Sequence, residues 1–115
     1  MQDLELFGLL FESLVVRDLR VFAQPLDGEV LHYRDNTGLE VDAIVQLEDG
    51  RWGAVEIKLS PARIDQAAES LTTFRERIDT RRMGEPAFLA VIVGAGYGYR
   101  RADGIGVIPM GTLGP

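Results

Sequence analysis

The chain has 115 residues, with 12 Lys and Arg against 18 Asp and Glu, a net charge of -6, one histidine and no cysteine. A single domain of this length buries roughly two thirds of its unfolded surface, and the missing cysteine excludes a disulfide framework, a thiolate zinc site and a cysteine nucleophile. No apolar run approaches the roughly 20 residues that cross a bilayer, the acidic start is unlike a secretory signal, and a hydrophobic content of 46% is too high for a disordered acidic chain; a soluble cytoplasmic domain is expected.

Leu4, Phe7, Phe11, Leu14, Val15, Leu19 and Phe22 recur at helical spacing, and Pro25 with Asp27-Gly28 ends the run, so the pattern predicts an amphipathic helix from about Asp3 to Gln24. Glu29 to Arg34 has strand composition and precedes the turn-forming cluster Asp35-Asn36-Thr37-Gly38. From Leu39 to Glu48 the odd positions are apolar and the even ones mostly charged or polar, which predicts a second strand with one buried face. Arg51 to Leu59 reads as a third. Ser60-Pro61 supplies a cap and a first-turn proline, and Ile64, Ala67, Ala68, Leu71, Phe74 and Ile78 form the stripe of a second helix stopping near Arg81-Arg82-Met83-Gly84. Ala87 to Val93 is continuously apolar, as a strand covered on both faces would be. Gly94 to Gly98 reads as a loop, and Ile105 to Ile108 as a last short strand. The glycine series is not followed by the helix that a dinucleotide fingerprint needs. The whole predicts a single α/β domain over residues 1–115.

Residues opposite each other across a hairpin must share a face. A two-residue Asp49-Gly50 turn would set Asp42 against Ile57 and mix the polar face with the apolar one. A three-residue loop of Glu48, Asp49 and Gly50, with Gly50 left-handed as a bulge, restores the match. In that register Asp42 lies opposite Glu56, and Glu40 opposite Lys58. Facing carboxylates repel unless a proton or cation lies between them, and hard oxygen ligands suit magnesium. Lys58 shares the face of Glu56 and is the single lysine among twelve basic residues. Unlike arginine it is a compact ammonium, able to orient a water and to stabilise charge on a phosphate. The same residues are also compatible with a solvated strand face on which Glu40 and Lys58 form an ordinary ion pair.

Asp42 with Glu56-Ile57-Lys58, set in a helix, three-strand, helix, strand order, resembles the PD-(D/E)XK nuclease superfamily, although Val41 stands where the motif has proline. Leu10-Phe11-Glu12-Ser13-Leu14-Val15, Tyr33-Arg34, Gly38-Leu39-Glu40-Val41-Asp42 and Val55-Glu56-Ile57-Lys58 look more narrowly like the uncharacterised C-terminal domain of prokaryotic AAA-type ATPases. The resemblance implies a restriction-endonuclease-like core with a mixed sheet and flanking helices. It also implies a divalent cation, Mg2+ or Mn2+, on Asp42 and Glu56, with Lys58 positioning the attacking water for phosphodiester hydrolysis. Glu12 matches the helix glutamate that completes the acidic cluster, with Asp18 as a rival on the helical wheel. Nucleic acid would be the substrate class, contacted by Arg34, Arg100 and Arg101, with Tyr97 and Tyr99 as stacking residues and Arg75, Arg77, Arg81 and Arg82 as a further basic cluster. Arg34 has ion pairs with Asp35 or Glu40 as its alternative, Gln66 reads as a solvated helix residue, and His32 as structural. The chain carries no P-loop, so it reads as the C-terminal part of a larger ATPase or as a stand-alone domain. The alternative function is a catalytically inactive regulatory or docking domain partnered with an AAA-type ATPase, which the net charge favours.

Overall fold

A computed structural model describes residues 3–110, with side chains from Leu6 onward, so Leu4 of the apolar series lies outside the described side chains. Helix α1 (Asp3–Ala23) runs into a 3-10 turn at Gln24–Leu26, where proline fixes the backbone and removes a donor. Asp27, at φ 52°, then redirects the chain. Strands β1 (Glu29–Arg34), β2 (Glu40–Gln46) and β3 (Trp52–Lys58) follow as an antiparallel meander. Ser60 accepts from the Ala62 N–H at 3.2 Å and opens a 3-10 turn leading into α2 (Ile64–Arg77).

The second helix does not run through to Gly84 as the pattern suggested. Ile78 is extended at ψ 155°, and Asp79 caps a separate short helix α3 (Thr80–Met83) by accepting from the Arg81 N–H. An aspartate with its own backbone target competes with helix continuation. Strands β4 (Phe88–Val93), β5 (Tyr99–Arg100) and β6 (Gly106–Pro109) complete a six-stranded sheet of order β1-β2-β3-β4-β6-β5. The short β5 lies where sequence alone offered only a loop. The three central strands β3, β4 and β6 are parallel, and Ala90 to Val93 are buried as the unbroken apolar run predicted.

α2 covers one face of the sheet. Ala67 and Ala68 let it approach closely, while Leu71 and Phe74 fill the space against Trp52, Ala54, Val91 and Val107. α1 covers the other face through Val15, with Phe11, Val16 and Leu19 packed beside Ala43, Val55, Ile57, Ala90 and Ile92. The apolar series of α1 is wider than this buried face: Phe7, Leu14 and Phe22 stay exposed.

The hairpin between β2 and β3 adopts the three-residue loop that parity demanded. Leu47 and Arg51 bond across it at 2.8 Å, Ala43 to Gln46 pair with Val55 to Trp52, and Gly50 sits at φ 94°. A β-branched side chain there would be strained. Gly50→Val is expected to cost roughly 1–3 kcal/mol in urea unfolding while leaving the circular dichroism of the native state unchanged.

Candidate functional site

The alternation of β2 is broken at Asp42. Leu31 faces Ile44 and Tyr33 faces Val41, so His32 alone on β1 opposes both Asp42 and Ala43 on β2. This is a β-bulge, which bends its strand and re-aims a side chain. In consequence Ala43 packs toward α1, whereas Val41 and Leu39 pack toward α2; the single apolar face read from the odd positions is divided between two cores. The paired ladder with β3 runs as far as Ala43 and Val55. Beyond it the Asp42 carboxylate accepts the Ile57 N–H at 2.7 Å, replacing a ladder bond and holding the side chain against β3.

Glu56 lies beside it. At 3% exposure it is the one buried charged residue among those described. Burial, with the hydrogen bond and charge of Asp42 second, pushes its carboxyl up to about 9. A carboxyl so raised holds its proton at neutral pH, which relieves the repulsion from the neighbouring Asp42 side chain. Glu12 reaches the same point from α1, and its carboxyl is raised by burial first and then by the charge and hydrogen bond of Asp42. Glu40 adds negative charge, and Lys58 opposes it. The Lys58 ammonium is 4.0 Å from the Glu56 carboxylate at the mouth of the site.

Asp42, Glu56 and Lys58 open into a cavity of about 190 Å3, completed by the Gly38 to Glu40 entry of β2 and by Gln66 and Ser70 of α2. Gln66, read from sequence as merely solvated, therefore borders the site, where its side-chain oxygen accepts from Arg63 at 3.1 Å. Ser70 carries one signal in the sequence, its spacing of four from Gln66 on the same helix face. Asp18 stands apart, 3.7 Å from Arg17, so of the two acids α1 brings Glu12 to the cluster. Glu40 is engaged by His32, whose Nε2 is 2.8 Å from its carboxylate, and not by Lys58.

The basic residues are less concentrated than their sequence numbers suggested. Arg34 is exposed on β1 opposite Glu40. Arg100 lies on β5, three strands and ~14 Å from β3, with Tyr99 and the exposed Tyr97 nearby in sequence. Arg101 is tied down by Asp65 and Asp103. In the α2–α3 cluster Arg75 binds Glu85 and Arg77 binds Asp35 and Thr37, while Arg81 and Arg82 are exposed. The Asp35 contact also steadies the turn into β2, because that carboxylate accepts the N–H groups of Thr37 and Leu39 as well.

Whether these residues suit a divalent cation is a question of donors. Among the described residues no three acidic or histidine side chains converge as a ready set of metal ligands; Asp42 is instead a hub that Glu12 and Glu56 each approach. Two adjacent hard carboxyl groups suit an ion such as magnesium, which binds through one or two carboxylates, keeps several waters and would displace the Glu56 proton on binding.

Among the described residues no helix is long and apolar enough to cross a membrane. No curated protein and no solved structure matches the chain. A family profile does, over residues 7–113, and it spans most of α1, the whole sheet and every residue of the acidic cluster. The chain belongs to the DUF4143 family, a domain of unknown function.

Proposed function

We propose that the cavity between β2, β3 and α2 binds a divalent cation through Asp42 and Glu56 and hydrolyses phosphodiester bonds of nucleic acid. The observation that carries this reading is the buried Glu56 carboxyl placed against Asp42 at the bulge, with the single lysine at the mouth. Mg2+ or Mn2+ would supply Lewis acidity toward a phosphate oxygen and a more acidic water. Asp42 is held for this role by the Ile57 N–H. Lys58 carries a compact positive charge that orients a water and stabilises charge on phosphate. Glu12 and Glu40 deepen the negative potential, and the side chains of Gln66 and Ser70 offer hydrogen bonds to a bound backbone.

A second reading, a non-catalytic regulatory or docking domain for an AAA-type ATPase, draws on the net charge of -6 and on the arginines already committed to ion pairs. Calorimetry with Mg2+ and Mn2+ separates the two. Wild type is expected to bind at millimolar concentration or better and Glu56→Gln to lose that binding; no heat from wild type sinks the catalytic reading and leaves the docking one. With single-stranded, duplex and branched DNA, metal-dependent cleavage is expected, and Lys58→Ala should reduce it ~100-fold or more. Cleavage persisting in that variant would place the activity elsewhere.

A further inference from the structure

We infer that the Asp35–Arg77 ion pair positions the acidic cavity: it fixes the gap between α2 and the β1–β2 turn, and so the placement of Gln66 and Ser70 relative to Asp42, Glu56 and Lys58. The consequence for metal binding rests on the metal-dependent reading of this cavity, whereas the gap is set with or without a metal. The two walls are the Gly38 to Glu40 entry of β2 and the side of α2 that carries Gln66 and Ser70. Spacings of four and seven residues place Gln66, Ser70 and Arg77 on one stripe of that helix. Arg77 therefore carries the same wall on, two turns and ~10 Å beyond Ser70, and there the stripe is bonded to the turn.

Asp35 divides its two oxygens between the walls. Oδ1 accepts the Thr37 N–H at 2.9 Å, the Thr37 hydroxyl at 2.6 Å and the Leu39 N–H at 3.2 Å, which shapes the turn. Oδ2 accepts the Tyr33 hydroxyl at 3.1 Å and the Arg77 guanidinium at 3.0 Å, which ties β1 and α2 to that turn. Arg77 also donates to the Thr37 hydroxyl. The bond to Leu39 reaches the site itself, because Leu39 lines the cavity between Gly38 and Glu40. The Thr37 hydroxyl, ahead of the other donors, holds the Asp35 carboxyl well below the usual carboxylate range, so the pair is ionised at neutral pH. An exposed ion pair adds little stability, and the Arg77 side chain is 42% exposed; what the pair supplies is direction. Phe74 meets Tyr33 edge-on at 4.8 Å and keeps α2 docked when the pair is removed.

Lys58 is the single lysine and lines the cavity. Its labelling by an amine-reactive reagent, followed on the peptide that carries it, reads the gap without metal or substrate. Arg77→Met is expected to label at least ~3-fold faster than wild type, and Arg77→Lys to return close to the wild-type rate. Asp35→Asn keeps one oxygen for the turn but sets an amide NH2 toward Arg77, and it should label as fast as Arg77→Met. Arg75→Met is the control. It breaks an ion pair of the same helix, with Glu85 at 2.7 Å, but lies two and a half turns from Gln66 and so on the other side of α2; Lys58 should label there as in wild type. In Mn2+ calorimetry Arg77→Met should bind ~10-fold more weakly than wild type, with Arg77→Lys restoring most of the affinity. Equal labelling of wild type, Arg77→Met and Asp35→Asn overturns the inference. So does equal acceleration by Arg75→Met, which marks a general loosening of α2. If wild type binds no Mn2+, the metal-dependent reading falls, and the labelling rates alone decide whether the pair sets the gap.

Discussion

Glu56→Gln is expected to stabilise the metal-free protein at neutral and alkaline pH, and to flatten the dependence of its stability on pH. Burial and the neighbouring Asp42 raise the Glu56 carboxyl from the ordinary range to about 9 in the folded state. The folded chain therefore holds that proton more tightly than the unfolded chain does. The stabilisation is complete below the ordinary glutamate value, and it is lost progressively as pH rises from about 4.5 toward 9. At 1.36 kcal/mol per unit the loss amounts to several kcal/mol, a large share of a typical domain stability of about 5–15 kcal/mol. Glutamine keeps the shape, stays neutral and can donate to Asp42 as the protonated acid does. Urea midpoints in chelator between about pH 5 and pH 9 should fall steeply for wild type and stay nearly level for the variant. Parallel curves for the two proteins would refute the assignment of the proton to Glu56. Glu12, raised for the same first reason, leaves a smaller slope of the same sign.

Leu71→Ala should be the most damaging single truncation on the α2 face of the sheet. Leu71 is fully buried in the cluster that joins α2 to Val41, Trp52, Ala54 and Val91. Its neighbours one turn back, Ala67 and Ala68, are already small, so no large side chain on that side of α2 can swing into the vacated space. The expected cost is about 2–5 kcal/mol, near the upper end if the cavity stays open, and a fall in midpoint temperature of roughly 10 °C or more. Leu71 also follows Ser70 and lies one turn from Gln66, both at the edge of the acidic cavity. Loosening α2 is therefore expected to weaken metal binding as well as stability, whereas Gly50→Val, at the far end of the hairpin, should leave metal binding intact.

The order of elements was readable because each rests on a local signal: the 3.6-residue stripe of α2, the unbroken apolar run of β4, the Ser60 cap, and the parity that selected a three-residue hairpin around Gly50. The acidic pair was readable for the same reason, since register follows from parity. Four things were not. The bulge at Asp42 and Ala43 changes which face Leu39 and Val41 serve, and a continuous alternation in sequence carries no mark of an inserted residue. The pairing of Glu40 with His32 depends on that bulge and was lost with it. The break between α2 and α3 depends on Asp79 finding the Arg81 N–H, which competes almost evenly with helix continuation. The exposed half of α1 was hidden by its own strength: apolar residues around so much of the helix reveal that it is amphipathic, not which arc is covered.

The two outer strands of the sheet have a bearing on how this protein avoids the wrong kind of association. A row of unpaired backbone groups at a sheet margin invites other strands to add to it. Here one margin is β5, only two residues long. The other is β1, whose exposed positions include Glu29, His32 and Arg34 and whose pairing with β2 is kinked by the bulge. Shortness closes the first margin, and charge with twist closes the second. The fold can therefore carry a parallel centre that is apolar apart from Glu56 and Lys58 while offering little free strand edge to other copies that meet it at high concentration.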